Sequence, residues 1–425
     1  MILVGLSLSA SLSAESGSYF RILNMPGYST AISDNGKWVI SSISQTAAFL
    51  YNDETGAITE LLTPEIGACE AYDVSDDGMV VGNADELPAY YLDGKWHFLD
   101  LPEGYGQGNC KQVSQDGSII YGEMINGLYF TPVVWKNGVP ELMTTLSRDL
   151  FNKVPGGGFI MVSASGDGSR VAGRVIDYEY SWYPVLWNED TPSYLCTDLF
   201  KDAKGKSNGL QLRVANLSNN GNFISLDIIE YVQGEIVRYP YVWNIGEEIL
   251  TPLDGDFVCV VDNNGRAFSC SPQGSLNRTS YVHENGSTFL LEDWLLQNFG
   301  LDMITEYSIL YSGTPIGISA DGRTLTGYCT NNENFYNYII RLDSYSGSGI
   351  DDSATPKPVV FTRGSEIIIS AQTGSAVIIT DLSGRILHRD TMKENSGSIS
   401  MQPGTYVVQI RRDSSVFTFK TIIHH

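Results

Sequence analysis

Few residues in this chain could begin covalent chemistry. Before residue 359 the histidines are His97 and His283. His97 lies beside Trp96, and His283 stands where comparable stretches carry Trp135, Trp187 and Trp243. Neither adjoins a G-x-S-x-G or similar nucleophile motif, so a Ser or Cys nucleophile with a histidine base is not indicated. The six cysteines (Cys69, Cys110, Cys196, Cys259, Cys270 and Cys329) form no CxxC and no Cys/His set with zinc spacing. Cys259 and Cys270 flank one hairpin and could pair in an oxidising compartment; the others read as small buried apolar residues. The 49 carboxylates could supply an acid and base for glycoside chemistry, but such a pair is a matter of geometry that spacing does not reveal. Neither a cofactor nor a metal is expected. What remains is recognition. Tyr105, Tyr178, Tyr180, Trp182, Tyr231, Phe335 and Tyr336 fall in connecting segments and could stack on sugar rings or on a protein partner.

The elements that would position these residues repeat. An apolar residue, Ser, a polar residue, Asp or Asn, then Gly recurs around Gly36, Gly78, Gly117, Gly168, Gly221, Gly265 and Gly322. The spacing of roughly 40–57 residues is in the range of solenoids and propellers. Asx-Gly is a strong hairpin signal, because both residues tolerate positive φ. A calcium loop would need several oxygen ligands at alternate positions, and one Asx per turn does not supply them. A short β-rich run follows each turn and mostly ends in a small residue (Ser41, Gly82, Gly122, Gly173, Gly327), which suits crowding at an axis or a bulge. Each repeat contains four short strands, as in a propeller blade. The fold class is therefore all-β: a propeller of about seven four-stranded blades over residues 18–343. The seventh repeat lacks a fourth strand, and Tyr19-Phe20-Arg21-Ile22-Leu23 precedes the first repeat without a partner. We expect this segment to close the last blade, since closure removes an exposed edge. Residues 290–299 break the β rhythm and predict a short helix ended by Gly300.

The net charge of −23 argues against nucleic acid or an anionic membrane surface as partner. Residues 1–17 are apolar and small, like the core of a secretory signal peptide without its basic leading segment. No other apolar run is long enough to span a bilayer. Residues 344–358 read as a linker, and residues 359–425 as a small β-sandwich of alternating strands.

Gly317-Ile318-Ser319-Ala320-Asp321-Gly322-Arg323-Thr324, followed in other copies by the V-V-G and aromatic strands, resembles the HAF-type extracellular repeat proteins. Ser225, Ser269 and the Asn-Asn-Gly copies depart from that pattern. The resemblance implies a propeller and an extracellular location, with no assigned activity. Val377–Leu382 with Ser383-Gly384-Arg385, then Pro403-Gly404-Thr405-Tyr406, then Lys420 near the end resemble the C-terminal sorting domain of the type IX (Por) secretion system. Its motif residues here are Asp381, Gly384, Arg385, Gly404, Tyr406 and Lys420. Asp352-Ser353-Ala354 resembles a bacterial O-glycosylation site. These resemblances imply a protein secreted from, or displayed on the outer-membrane surface of, a Gram-negative bacterium, with the secretion machinery as one partner. The functional expectation is a module that binds an extracellular glycan or protein. The alternatives are a glycan-active enzyme with an Asp/Glu pair near the axis, or a purely structural surface protein.

Overall fold

The computed structural model describes residues 17–126, 129–143, 159–176, 182–189, 191–195, 211–232, 235–272, 277–304, 311–331, 334–343, 359–363, 366–371, 373–381, 385–393, 396–412 and 415–423. Residues 1–16 of the expected signal segment (1–17), the linker with its glycosylation-like triplet, and Tyr178, Tyr180 and Gly384 lie outside these residues. The chain divides into two compact units, residues 1–347 and 348–425. No described helix is long and apolar enough to cross a membrane.

The first unit is a ring of seven antiparallel blades. The innermost strands are Tyr28–Ile32, Cys69–Val74, Gln107–Val113, Phe159–Ala164, Gln211–Leu217, Phe257–Val261 and Tyr311–Ile318. In the first six blades the following three strands pair outward in sequence order. Blades four and five also touch through one parallel pair, Trp182 with Gln211. The seventh blade has three strands of its own, and its outer strand is Tyr19–Leu23, antiparallel to Asn334–Arg341 with Tyr19 opposite Arg341. Asp343 N donates to Ser18 Oγ at 2.8 Å, 325 residues away.

Turn chemistry fixes each blade. Every Asx-Gly glycine has φ between 67° and 90°, a region that costs an L side chain but not glycine. The motif serine does two things. Ser33 Oγ accepts from Trp38 N (3.0 Å) and donates to Asn35 Oδ1 (2.8 Å), and Ser114, Ser165 and Ser319 repeat this with Asp116, Asp167 and Asp321. The Asx side chain thus serves the turn itself.

Every innermost strand carries a β-bulge at one place: Thr30, Tyr72, Lys111, Val162, Ala215, Cys259 and Ile316 are each skipped in the register. This explains the small residue. Gly82 lies opposite the bulge, and a Cβ there would stand 1.9 Å from Glu70 O; at Gly122 it would stand 2.0 Å from Asn109 O. The bulge, not crowding at the axis, demands glycine. In blade five the register puts Leu226, not Ser225, at this position, opposite Val214.

The apolar core is divided among the junctions between blades. One cluster joins blades two and three (Met79, Val81, Leu99 with Cys110, Ile120, Val133, Trp135), and another joins three and four (Tyr121, Val134, Met143 with Val171, Val185, Trp187). The remaining five junctions are filled likewise, including the seam, where Leu23, Ile32, Val39 and Phe49 meet Ile339. The helix Leu291–Phe299 buries Leu291, Trp294 and Leu295 in the junction of blades six and seven, and it ends on Gly300 at φ 70°.

The second unit is two sheets. Val359–Arg363, Glu366–Ser370 and Ser396–Ser400 form one; Ile386–Thr391, Ala376–Asp381, Gly404–Arg412 and Ser415–Ile423 form the other. Ile367 and Ile369 from the first meet Val377, Ile379, Tyr406, Val408 and Ile410 from the second.

Candidate functional site

The ring surrounds an axial channel whose two ends differ. At the Asx-Gly end the seven turns join into a continuous hydrogen-bonded belt. Asp76 N donates to Gln115 O (2.9 Å), Gln115 N to Gly166 O (2.7 Å), Gly166 N to Asn219 O (2.8 Å) and Ala320 N to Asp34 O (2.7 Å). Side chains complete the circuit: Asn35 N donates to Asp76 Oδ1, Asn220 N to Asn263 Oδ1 and Asn263 Nδ2 to Ala320 O, each at 2.7 Å. The third motif position is variable because these seven residues share one small space. At Gly166 a Cβ would meet Asn219 Nδ2 at 2.0 Å and Asp34 Oδ2 at 2.3 Å.

Above the belt lies a narrow polar cavity of about 170 Å³. Its polar side chains tie neighbouring innermost strands together. Asp73 Oδ2 accepts from Val113 N (2.9 Å), Gln112 Oε1 from Ala164 N (3.2 Å) and Asn216 Oδ1 from Val261 N (3.2 Å). Burial pushes the Asp34 carboxyl up to about 6, against a hydrogen bond from Asn219 and with Asp76 adding to the rise. Burial likewise pushes Asp73 up to about 7, against its backbone hydrogen bonds.

Past the bulge residues Val162, Ala215 and Ile316, which line both spaces, the channel widens to about 500 Å³. The described residues lining the wide cavity include Arg174, Arg213 and Arg278, and no carboxylate. Strand register brings them together. Arg174 follows the bulge-facing Gly173, Arg213 lies two residues before the bulge at Ala215, and Arg278 opens the third strand of blade six. Arg213 Nη2 pairs with Asp227 Oδ2 at 3.0 Å; Asp227 is fully buried behind it and accepts from Val258 N at 2.8 Å. Burial and then the charge of Arg213 lower Arg174 to about 10, with Glu123 opposing. Arg278 and Arg238 lie over the Phe257 ring, at 5.3 and 4.5 Å from its centroid. Cys259 and Cys270 stand as thiols with Sγ atoms 3.6 Å apart. Their hydrogen bond raises Cys259 and lowers Cys270, and Arg278 adds to the lowering.

On the blade two and three side the charges cancel locally. Tyr72 OH donates to Glu70 Oε2 (2.7 Å), and Lys111 Nζ lies 3.8 Å from the Tyr72 ring centroid. Burial lowers Lys111, with Glu123 and Glu70 opposing.

No family model matches the sequence, and no curated protein matches it. The structure is similar to an oligogalacturonate lyase from Vibrio parahaemolyticus (12% identity, 76% of this chain and 97% of that one, TM-score 0.49). It is also similar to a putative TolB from Agrobacterium tumefaciens (13%, 59% and 89%, TM-score 0.39) and to the β-propeller domain of the Trilobed protease from Pyrococcus furiosus (12%, 61% and 79%, TM-score 0.41). Its structural neighbours are β-propeller proteins. Likeness at these identities concerns the fold alone.

The aromatic residues singled out by sequence do not form one surface. Tyr105 is half-buried, packed on the cluster of blades two and three, and its OH donates to Thr131 Oγ1 at 3.2 Å. Phe335 is partly exposed and meets Tyr28 (5.4 Å) and Tyr328 (6.2 Å), and Tyr328 lines the wide cavity. Tyr336 packs against the core of blades six and seven. Trp182 and Tyr231 lie in described strands, but their side chains lie outside the described set. The arginines were missed. Their signal was available as basic residues on first, second and third blade strands of a strongly acidic chain.

The histidines are structural. His283 Nε2 lies 2.7 Å from Ser269 Oγ, and Nδ1 lies 3.0 Å from Thr288 Oγ1. Ser269 donates to Asp254 O, so the imidazole Nε2–H must donate to Ser269. That polarity is the reverse of a base activating a nucleophile, and Ser269 is fully buried. Burial lowers His283 to about 4. His97 stacks on Tyr90 at 4.9 Å.

The motif residues of the second unit have local structural duties. Arg385 N donates to Asp381 Oδ1 (3.0 Å) and its Nε to Oδ2 (3.1 Å). Tyr406 is buried and donates to Gln402 O, and a Cβ at Gly404 would stand 3.2 Å from its hydroxyl. Lys420 pairs with Val407 in the ladder.

Proposed function

We propose that this chain is an exported recognition module that binds an extracellular glycan or protein at the wide end of its propeller axis. One observation carries the reading. The channel is ringed by hydrogen-bonded turns at one end and widens at the other into a cavity of about 500 Å³, a volume typical of ligand sites. The enzyme alternative gains less support. Asp34 and Asp73 line the narrow cavity, where each is hydrogen-bonded within the scaffold, and the wide cavity has no described carboxylate to act as acid or base. Delivery to the outer-membrane surface or the medium is part of the proposal. It rests on the resemblance of residues 359–425 to a sorting domain.

The test is a glycan array probed with the full chain and with Ala215→Trp, which fills the cavity. Binding by the parent that the variant loses supports the site. Binding that survives moves it elsewhere, and no binding at all removes the glycan version. In the producing cell, removal of residues 359–425 should trap the protein inside the outer membrane; unchanged export would refute the sorting role.

A further inference from the structure

We infer that the wide axial cavity is an anion site, built for a short acidic saccharide whose carboxylate is held by Arg213 and Arg278 with Arg174 beside them. This rests on the recognition reading above and narrows it to a ligand class.

The charge distribution is the first argument. Acidic residues outnumber basic ones by 49 to 26 in the sequence, yet the described lining of this cavity holds three guanidinium groups and no carboxylate. Asp227 neutralises Arg213 from behind without reaching the cavity wall. Arg278 makes no ion pair among the described residues; it is held over Phe257 instead. Glu70 and Glu123 act on Lys111, and Glu123 also acts on Arg174.

Unmet hydrogen bonding is the second. Arg213 Nε is buried and has no hydrogen-bond partner among the described residues, although its Nη2 is engaged. Asp227 occupies only part of the five-donor guanidinium, which leaves donors for a carboxylate.

Shape and screening narrow the ligand. Phe257 and Tyr328 add aromatic edges to the polar lining, and the volume limits the occupant to a few rings. A long polyanion would feel the whole surface of a −23 chain. A small one inside the cavity feels mainly the arginines, because charges farther off than about 8 Å are largely screened at physiological salt.

The experiment is calorimetric titration of the full chain with a uronic-acid disaccharide, its neutral counterpart, a sulfated disaccharide and inorganic sulfate. The parent should bind the uronate and weaken as salt rises, with the neutral sugar weaker by about tenfold or more. Arg278→Gln, which leaves the Arg213–Asp227 pair intact, should weaken uronate binding by about tenfold or more. Arg213→Lys keeps a cation beside Asp227 while losing the fork, and should weaken it similarly. Equal binding of the neutral sugar at an Ala215→Trp-sensitive site would overturn the anion assignment while leaving the recognition reading in place. Inorganic sulfate binding as tightly as either sugar would overturn the saccharide assignment, as would preference for the sulfated sugar over the uronate. No binding by any of the four overturns the inference, and a positive array in the same preparation then preserves the broader reading.

Discussion

Asp34 and Asp73 hold their protons more tightly in the folded chain than an ordinary aspartate does, near 6 and near 7. The folded state therefore binds more protons than the unfolded state between about pH 4 and 7. The sign follows: their contribution is most favourable below the unfolded value and is lost as pH rises through the folded values. Each ionised carboxylate costs on the order of 3 kcal/mol above pH 7. Urea unfolding should show lower stability at pH 8 than at pH 5, and Asp73→Asn should reduce that difference, because an amide still accepts from Val113 N. Equal pH slopes in parent and variant would refute the assignment. This pair also marks what the sequence conceals. Asp34 is legible as a turn residue, but its place opposite Gly166 on the far side of the ring depends on seven turns converging.

Among the elements, the most regular feature is the bulge in each innermost strand. Gly82→Val should destabilise the propeller by about 3 kcal/mol, because the new side chain enters the space of the Glu70 carbonyl. Gly106→Ala, which has nothing within 4 Å of its added carbon, serves as the control in thermal unfolding. An unchanged melting temperature for Gly82→Val would show that the bulge can open. The repeats were legible because a turn is written in four or five adjacent residues, as in Ser-Asp-Asn-Gly at Gly36. The arginine cluster was not. Arg174, Arg213 and Arg278 come from three different blades, on a second, a first and a third strand, and they converge only once the ring is closed.

At the scale of the whole molecule, stability resides in seven junctions, and the seam is one of them. Phe20 is almost fully buried against Tyr338, with ring centroids 5.6 Å apart. Phe20→Ala should cost about 3–5 kcal/mol. Hydrogen exchange should then show loss of protection first in Asn334–Arg341, with Ile119–Asn126 across the ring protected as before. Uniform loss would mean that the ring opens only as a whole.

Ring closure also sets a timetable. The outer strand of the last blade is among the first described residues synthesised, and its partner strand ends at Arg341. Tyr19–Leu23 must therefore wait, with one edge unsatisfied, while almost the entire propeller is made. A nascent chain in this condition cannot lock prematurely. Anything that holds the leading segment during synthesis or transport delays the final blade while leaving the first six free to form.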